Sequence, residues 1–237
     1  MKSMRMMAMA AAAVALLALA ACDKKGKGEG EAVDSEKLGY ALGLEIGNSL
    51  KQIGADEGSI DLDAMGKGIA DQLKGEKPEM NDEEIAKVKT AFFNQMREKQ
   101  IARIKAEGEG NLKKGEAFLA ENGKKEGVVT TASGLQYKVV KEGNGKRPNI
   151  NSQVSVHYRG RLLDGSEFDS SYSRNQPANF PLKGVIPGWS EGVQLMKEGG
   201  KYELYVPAKL AYGENGAPPK IGPNSTLIFE VELLSVK

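Results

Sequence analysis

After Pro78 the chain contains no proline until Pro148, and inside that span a run starting at Asn81 carries the marks of one long helix. Asn81 followed three residues later by Glu84 matches a capping box, and Asp82 and Glu83 put acid at the positive end of the helix. Ile85, Val88, Phe92 and Met96 form an apolar stripe that Ile101 and Ile104 continue with drift. The stripe is read as a packing face. With no proline to stop it, the helix can run to about Leu119, roughly 55–60 Å at 1.5 Å per residue. Gly108, Gly110 and Gly115 lie inside it; each costs about 1 kcal/mol relative to Ala, so a bend or weak point is predicted near Glu107–Asn111. Glu116 stands where a phosphate loop needs Lys, which dismisses Gly110–Gly115 as one. Asn122-Gly123 gives a plausible end, with Gly123 supplying a left-handed C′ residue.

Beyond this helix the pattern changes from helical spacing to alternation. Val154, Val156 and Tyr158 alternate with Ser155, His157 and Arg159, while Leu227, Phe229, Val231 and Leu233 share one face. Strands are predicted at Val128–Thr131, Leu135–Val140, Gln153–Leu162, Lys201–Val206 and Thr226–Val236. One short helix fits Gly188–Lys197, with Pro187 before it and Gly199-Gly200 after. An antiparallel sheet needs one covered face, and this helix is the only candidate to cover it. Phe168, Phe180, Trp189 and Tyr212 fall at turns or element ends, where an aromatic does more than fill a strand face.

The N-terminal part has no comparable core. Residues 1–21 read as a signal peptide: Lys2 and Arg5, then an Ala/Leu/Met-rich run from about Met6 to Ala21 that is short for a membrane span. Leu19-Ala20-Ala21-Cys22 resembles a bacterial lipobox, which would make Cys22 the lipid-bearing residue. An ordinary secretory signal with an incidental Cys is the alternative, but the only Cys of the chain occupies the one position lipidation needs. Acyl chains bury methylenes at about 0.8 kcal/mol each and would anchor the protein to a bilayer. Residues 22–33 read as a flexible tether of Lys, Gly and Glu. Residues 34–80 read as two amphipathic helices, the first capped by Asp34 or Ser35 and the second following Asp61. Gly39, Gly43 and Gly47 line one face of the first and would let another helix approach closely. Neither helix is long enough to bury a core alone, so both need a partner. A second copy of the chain is the economical choice.

Composition removes several function classes. Lys and Arg number 33 against 32 Asp and Glu, which gives no support for nucleic-acid binding. One Cys and one His allow neither a disulfide within the chain nor a Cys/His zinc site, so no metal or cofactor is expected. A His-dependent nucleophile would have to use His157, which alternates out of phase with Val156 and Tyr158.

The motifs VHYRGRLLDGSEFDSS, VIPGWSEGVQLM, YVPAKLAYG and PNSTLIFEVELLSV resemble those of the FKBP-type peptidyl-prolyl cis/trans isomerases. The stretch KKGEAFLAENGKKEGVVTTASGLQYKVVKEGNG before them resembles the dimeric, membrane-associated Mip/FkpA-like branch of that family. The resemblance implies an α+β fold: an N-terminal all-helical dimerisation region over 34–80, a long connecting helix over 81–122, and an isomerase domain over 123–237. In that domain a bent antiparallel sheet wraps around one short helix. It also implies a periplasmic, lipid-anchored homodimer that binds proline-containing unfolded or partly folded proteins and, as an inhibitor, the FKBP-directed macrolide.

Carried over by position, the family's site falls on Tyr158, Asp169 and Tyr212 as catalytic residues. Phe168, Phe180, Val185, Ile186, Trp189, Ile221 and Phe229 would bind substrate. The resemblance makes Trp189 the pocket floor, Tyr158, Phe180 and Phe229 its walls, and the Ile186 N–H and Tyr212 hydroxyl the holders of substrate carbonyls. Asp169 would orient or stabilise electrostatically. Core packing is the competing role for the aromatics, and turn capping for Asp169. The loop Gly213–Pro223 departs from the common pattern at Ala217, Lys220 and Gly222, which bears on preference for the residue before proline.

The chemistry fits such a composition. Amide resonance slows X-Pro rotation by a barrier of roughly 20 kcal/mol. The planar amide is more polar than the twisted one, so a dry apolar pocket disfavours the ground state, and no nucleophile or metal is required. A non-catalytic dimeric chaperone or adhesin on the same scaffold is the alternative function.

Overall fold

The computed structural model describes residues 33–237; the expected signal peptide, Cys22 and the tether through residue 32 lie outside the described residues. Two compact units divide the chain, one ending at Ser49 and the other running Leu50–Lys237.

Helix α1 (Ser35–Gln52) forms most of what is described of the first unit. Asp34 caps it, its carboxylate accepting the Glu36 and Lys37 N–H groups at 3.1 and 3.2 Å. It buries no residue; Tyr40 is 72% exposed and Leu42 and Leu44 about half exposed. Gly39, Gly43 and Gly47 face open space.

The second unit holds the last residues of α1 and then α2 (Leu62–Lys74), capped by Asp61 accepting from the Ala64 N–H at 2.9 Å. Helix α3 then runs unbroken from Asp82 to Asn122, 41 residues, about 60 Å at the standard rise. Its capping box forms as the sequence predicts, with Asn81 N–H to Glu84 and Glu84 N–H to Asn81 both at 2.9 Å.

The predicted weak point near Glu107–Asn111 is not there. Gly108 and Gly115 are buried because α3 docks through them. A Cβ on Gly108 would come within 3.3 Å of Pro223 and Asn224, and one on Gly115 would collide with the Thr226 side chain. Gly222 makes the reverse approach, against Glu107. The Asn111 side-chain amide donates to the Pro223 carbonyl at 2.9 Å and fastens the contact. Glycine here costs helix propensity and gains tertiary proximity. Gly123 ends α3, but with φ −64° it is right-handed, not left-handed; it is small because a Cβ would lie 2.9 Å from the Gln136 amide.

The rest is one antiparallel sheet: β1 (Val128–Thr130), β2 (Gln136–Lys141), β3 (Gln153–Arg161), β4 (Glu167–Ser170), β5 (Ala178–Pro181), β6 (Lys201–Val206) and β7 (Leu227–Val236). The order is β1-β2-β6-β7-β3-β4, with β5 also pairing β3. Strands β4 and β5 were not predicted; each has four residues, too few to show a period. They divide β3 between them, β5 pairing Gln153–Val156 and β4 Arg159–Arg161. Register shifts in β3 at Ser155/Val156 and Gly160/Arg161 bend the sheet there.

Helix α4 (Pro187–Leu195) lies on the concave face, two residues shorter at its end than predicted. Val193 and Met196 are fully buried against Leu204, Val206, Val231 and Leu233. Each such side chain contributes roughly 1.5–3 kcal/mol on burial. The short contact distance requires Gly192, whose Cβ would sit 2.7 Å from Leu204.

Candidate active site

Trp189 reaches the centre of the site because Pro187 at the first helical position starts α4 immediately after Ile186. Its ring meets three others edge-on, Tyr158 and Phe229 at 5.2 Å and Phe180 at 5.6 Å between centroids. Phe168 stands edge-on to Phe229 at 5.5 Å. Tyr158 comes from β3, Phe168 from β4, Phe180 from β5 and Phe229 from β7, so the bent sheet supplies walls from four strands around one floor. Gly160 gives Phe168 and Phe229 their room; a Cβ there would lie 2.5 Å from the Phe168 ring. Val185, Ile186 and Ile221 pack against the same cluster. The indole Nε1–H is buried without an acceptor among the described residues, so the Trp189 side chain contributes surface and no hydrogen bond.

The polar groups collect at one edge. The Tyr158 hydroxyl donates to one Asp169 oxygen. The other accepts from Arg174 Nη1 at 2.5 Å and from the Ser170 N–H at 2.8 Å. Arg174 Nη2 also donates to the Tyr158 oxygen at 2.9 Å. Partial burial opposes charge on Asp169, but the hydrogen bonds from Tyr158 and Arg174 and the Arg174 charge outweigh it. The carboxyl is held below its ordinary value. Burial, and then the bond to Asp169, push the Tyr158 phenol up. At neutral pH the pair is therefore carboxylate and phenol, fixed in place. Both ion-pair side chains are about half exposed, so the pair adds little stability, about 0–1 kcal/mol; its effect is orientation.

Two donors remain unspent. Among the described residues neither the Ile186 N–H nor the Tyr212 hydroxyl has a hydrogen-bond partner, and Tyr212 is 42% exposed. His157, Nδ1 3.0 Å from Ser171 Oγ and stacked on Tyr172, does not join these groups. Nine of the ten carried-over residues thus lie on or beside one aromatic basket, Tyr212 standing outside the packed cluster, and no nucleophile–base pair lies among the ten.

Arg174 and the function of Lys220 are not evident from sequence. Arg174 follows Asp169 by five residues in a Ser-rich turn, a spacing that announces nothing without the fold. The Lys220 ammonium donates to the Phe168 carbonyl at 2.8 Å and straps the rim loop to β4. The same loop is closed internally by Ala217 and Ile221 exchanging backbone bonds at 2.8 and 3.1 Å.

Comparison with known proteins agrees with this geometry. The FKBP-type peptidyl-prolyl cis-trans isomerase family matches residues 144–234, and the domain amino terminal to FKBP-type peptidyl-prolyl isomerase matches residues 35–139. A probable FKBP-type isomerase FkpA of Neisseria meningitidis is 47% identical over 85% of this chain and 74% of its own. The isomerase Mip of Coxiella burnetii is 44% identical over 86% of this chain and 87% of its own. The crystal structure of FkpA from Escherichia coli superposes with a TM-score of 0.73 at 40% identity, over 87% of this chain and 98% of that one. The chain belongs to the FKBP-type peptidyl-prolyl cis/trans isomerases, in the branch that carries an amino-terminal helical domain. It catalyses rotation about peptidyl-prolyl bonds and so assists protein folding.

Proposed function

We propose that the basket over Trp189 is where the prolyl ring binds, in unfolded or partly folded proteins of the bacterial cell envelope. The observation that carries this is the indole met edge-on by three rings with the unspent Ile186 N–H beside it. Phe168, Val185 and Ile221 extend the apolar surface around Tyr158, Phe180 and Phe229. The Ile186 N–H and the Tyr212 hydroxyl hold carbonyls on either side of the twisting bond. Asp169, kept ionised by Arg174, faces the amide as it loses conjugation and acts by its fixed field. Removal of the planar amide from water favours the less polar twisted form. The FKBP-directed macrolide would occupy the same basket.

The exposed apolar side chains of α1 and α2 support a homodimer made through residues 34–80. A lipid on Cys22 would fix the protein to an envelope membrane; labelled fatty acid entering the parent but not Cys22→Ser is the check. One relative, from Legionella longbeachae, is named an outer membrane protein, which accords with an envelope location.

An X-Pro tetrapeptide assay across pH 5–9 tests the site. With Asp169 ionised and Tyr158 protonated throughout, kcat/KM is expected to show no step from either group. The depressed Asp169 value places its loss, and the stability it contributes, on the acid side, below the ordinary aspartate value of 3.8. Trp189→Leu is expected to lower kcat/KM about tenfold or more. Trp189→Ala is a poor choice, because Trp189 is 4% exposed within the core cluster and truncation there costs about 3–5 kcal/mol of stability. Unchanged kcat/KM and macrolide affinity in a folded Trp189→Leu protein would remove Trp189 from the site.

A further inference from the structure

A cleft of about 540 Å³ lies between α3 and the rim loop, floored by the turn joining β3 to β4. That is within the size range of ligand sites, roughly 300–1,000 Å³. It continues from the basket. Ile221, 5% exposed, packs in the Trp189 cluster on one side and lines the cleft on the other. Lys220, whose amine holds the Phe168 carbonyl, forms the ridge between them.

The walls are fixed before anything binds, because Asn111 and Gly108 meet Pro223, and Gly222 of the loop meets Glu107 of the helix. Ile104, 44% exposed, faces this space with Leu163 and the Pro218-Pro219 pair. Its charges offset one another, Lys114 and Lys220 against Glu107 and Asp164, so the cleft selects neither an anion nor a cation. The Gln100 and Lys114 side chains, which line the cleft from α3, are donors for backbone carbonyls. Apolar patches, a few donors and no net field suit an uncharged extended polypeptide.

We infer that this cleft is a second subsite, which takes an apolar segment of the same client chain whose proline sits on Trp189. The inference rests on the isomerase reading of the basket. Only chains longer than the basket can use it. The cleft therefore adds to binding of long clients and leaves the chemistry on short ones untouched.

The test compares a tetrapeptide with a decapeptide that carries Leu and Val on both sides of the same X-Pro bond, using the full chain and NMR exchange. The decapeptide is expected to have a KM about fivefold lower at equal kcat. Ile104→Asp is expected to abolish that advantage while leaving both constants for the tetrapeptide unchanged. Leu163→Asp, in the floor of the cleft, is expected to do the same and guards against a fold-specific effect of either variant. Equal KM for the two peptides, or an advantage that survives both variants, would overturn the subsite. So would an equal loss on tetrapeptide and decapeptide. A parent protein that isomerises neither peptide would overturn the reading of the basket itself, and the subsite with it.

Discussion

A chain shortened to begin at Gly123 is expected to be about 2–5 kcal/mol less stable than one that begins at Met96. Sequence alone places the boundary at Gly123, where the helix ends. The structure puts the energetic boundary further back. Asn122 is 1% exposed and donates to Gln136 Oε1 at 3.0 Å, while Gln136 Nε2 donates to the Leu119 carbonyl at 2.8 Å. Phe118 covers Tyr205 at 5.9 Å between ring centroids, and Thr226, 4% exposed, lies under Gly115. Cutting at Gly123 removes both partners of Gln136 and uncovers Tyr205 and Thr226. Water re-pairs part of the freed amide, so the larger part of the loss is apolar surface and the rim-loop fastening. The melting temperature should fall by about 10 °C or more. Because Asn111 no longer holds Pro223, tetrapeptide kcat/KM should fall as well. The longer chain should match the parent in both. Thermal denaturation of the two chains decides it, and equal melting temperatures would show that the second half of α3 is a mere connector.

What sequence reveals here follows the range of each interaction. Caps are local, so Asn81, Glu84, Asp61 and Asp34 are legible from spacing of two or three residues. The sheet face of β3 and β7 is legible because its period repeats along nine and ten residues. The role of Gly108 is not, because its reason lies in Pro223 and Asn224, more than a hundred residues away. Read locally, a glycine in a helix is a weakness; read against its neighbour, it lets Pro223 and Asn224 come close to α3. Arg174 is hidden for the same reason, since its two partners sit on separate strands. Lys220 is visible as a departure from its family's pattern, but only the fold shows that its amine reaches the Phe168 carbonyl.

Deletion of residues 34–80 is expected to monomerise the protein and to separate two kinds of activity. Helices α1 and α2, of 18 and 13 residues, bury none of their own side chains; Tyr40 and Leu73 stay largely in water, and Leu42, Leu44 and Ile69 are about half exposed. Covering one Leu is worth roughly 1.5–3 kcal/mol, so a second copy that covers several is held firmly. Every carried-over pocket residue lies at Tyr158 or later, and α3 remains whole in the deleted chain, so the tetrapeptide rate per site should stay within about twofold. In the proposed dimer an unfolded client can engage two sites. The second contact is then intramolecular, at an effective concentration in the millimolar range. Acceleration of refolding of a proline-limited protein should therefore fall roughly tenfold or more in the monomer. Light scattering and the two assays on one preparation read all three quantities. A deleted chain that remains dimeric would sink the assignment of the interface, and an equal loss on tetrapeptide and protein would show that the arm supports the pocket itself and does not gather clients.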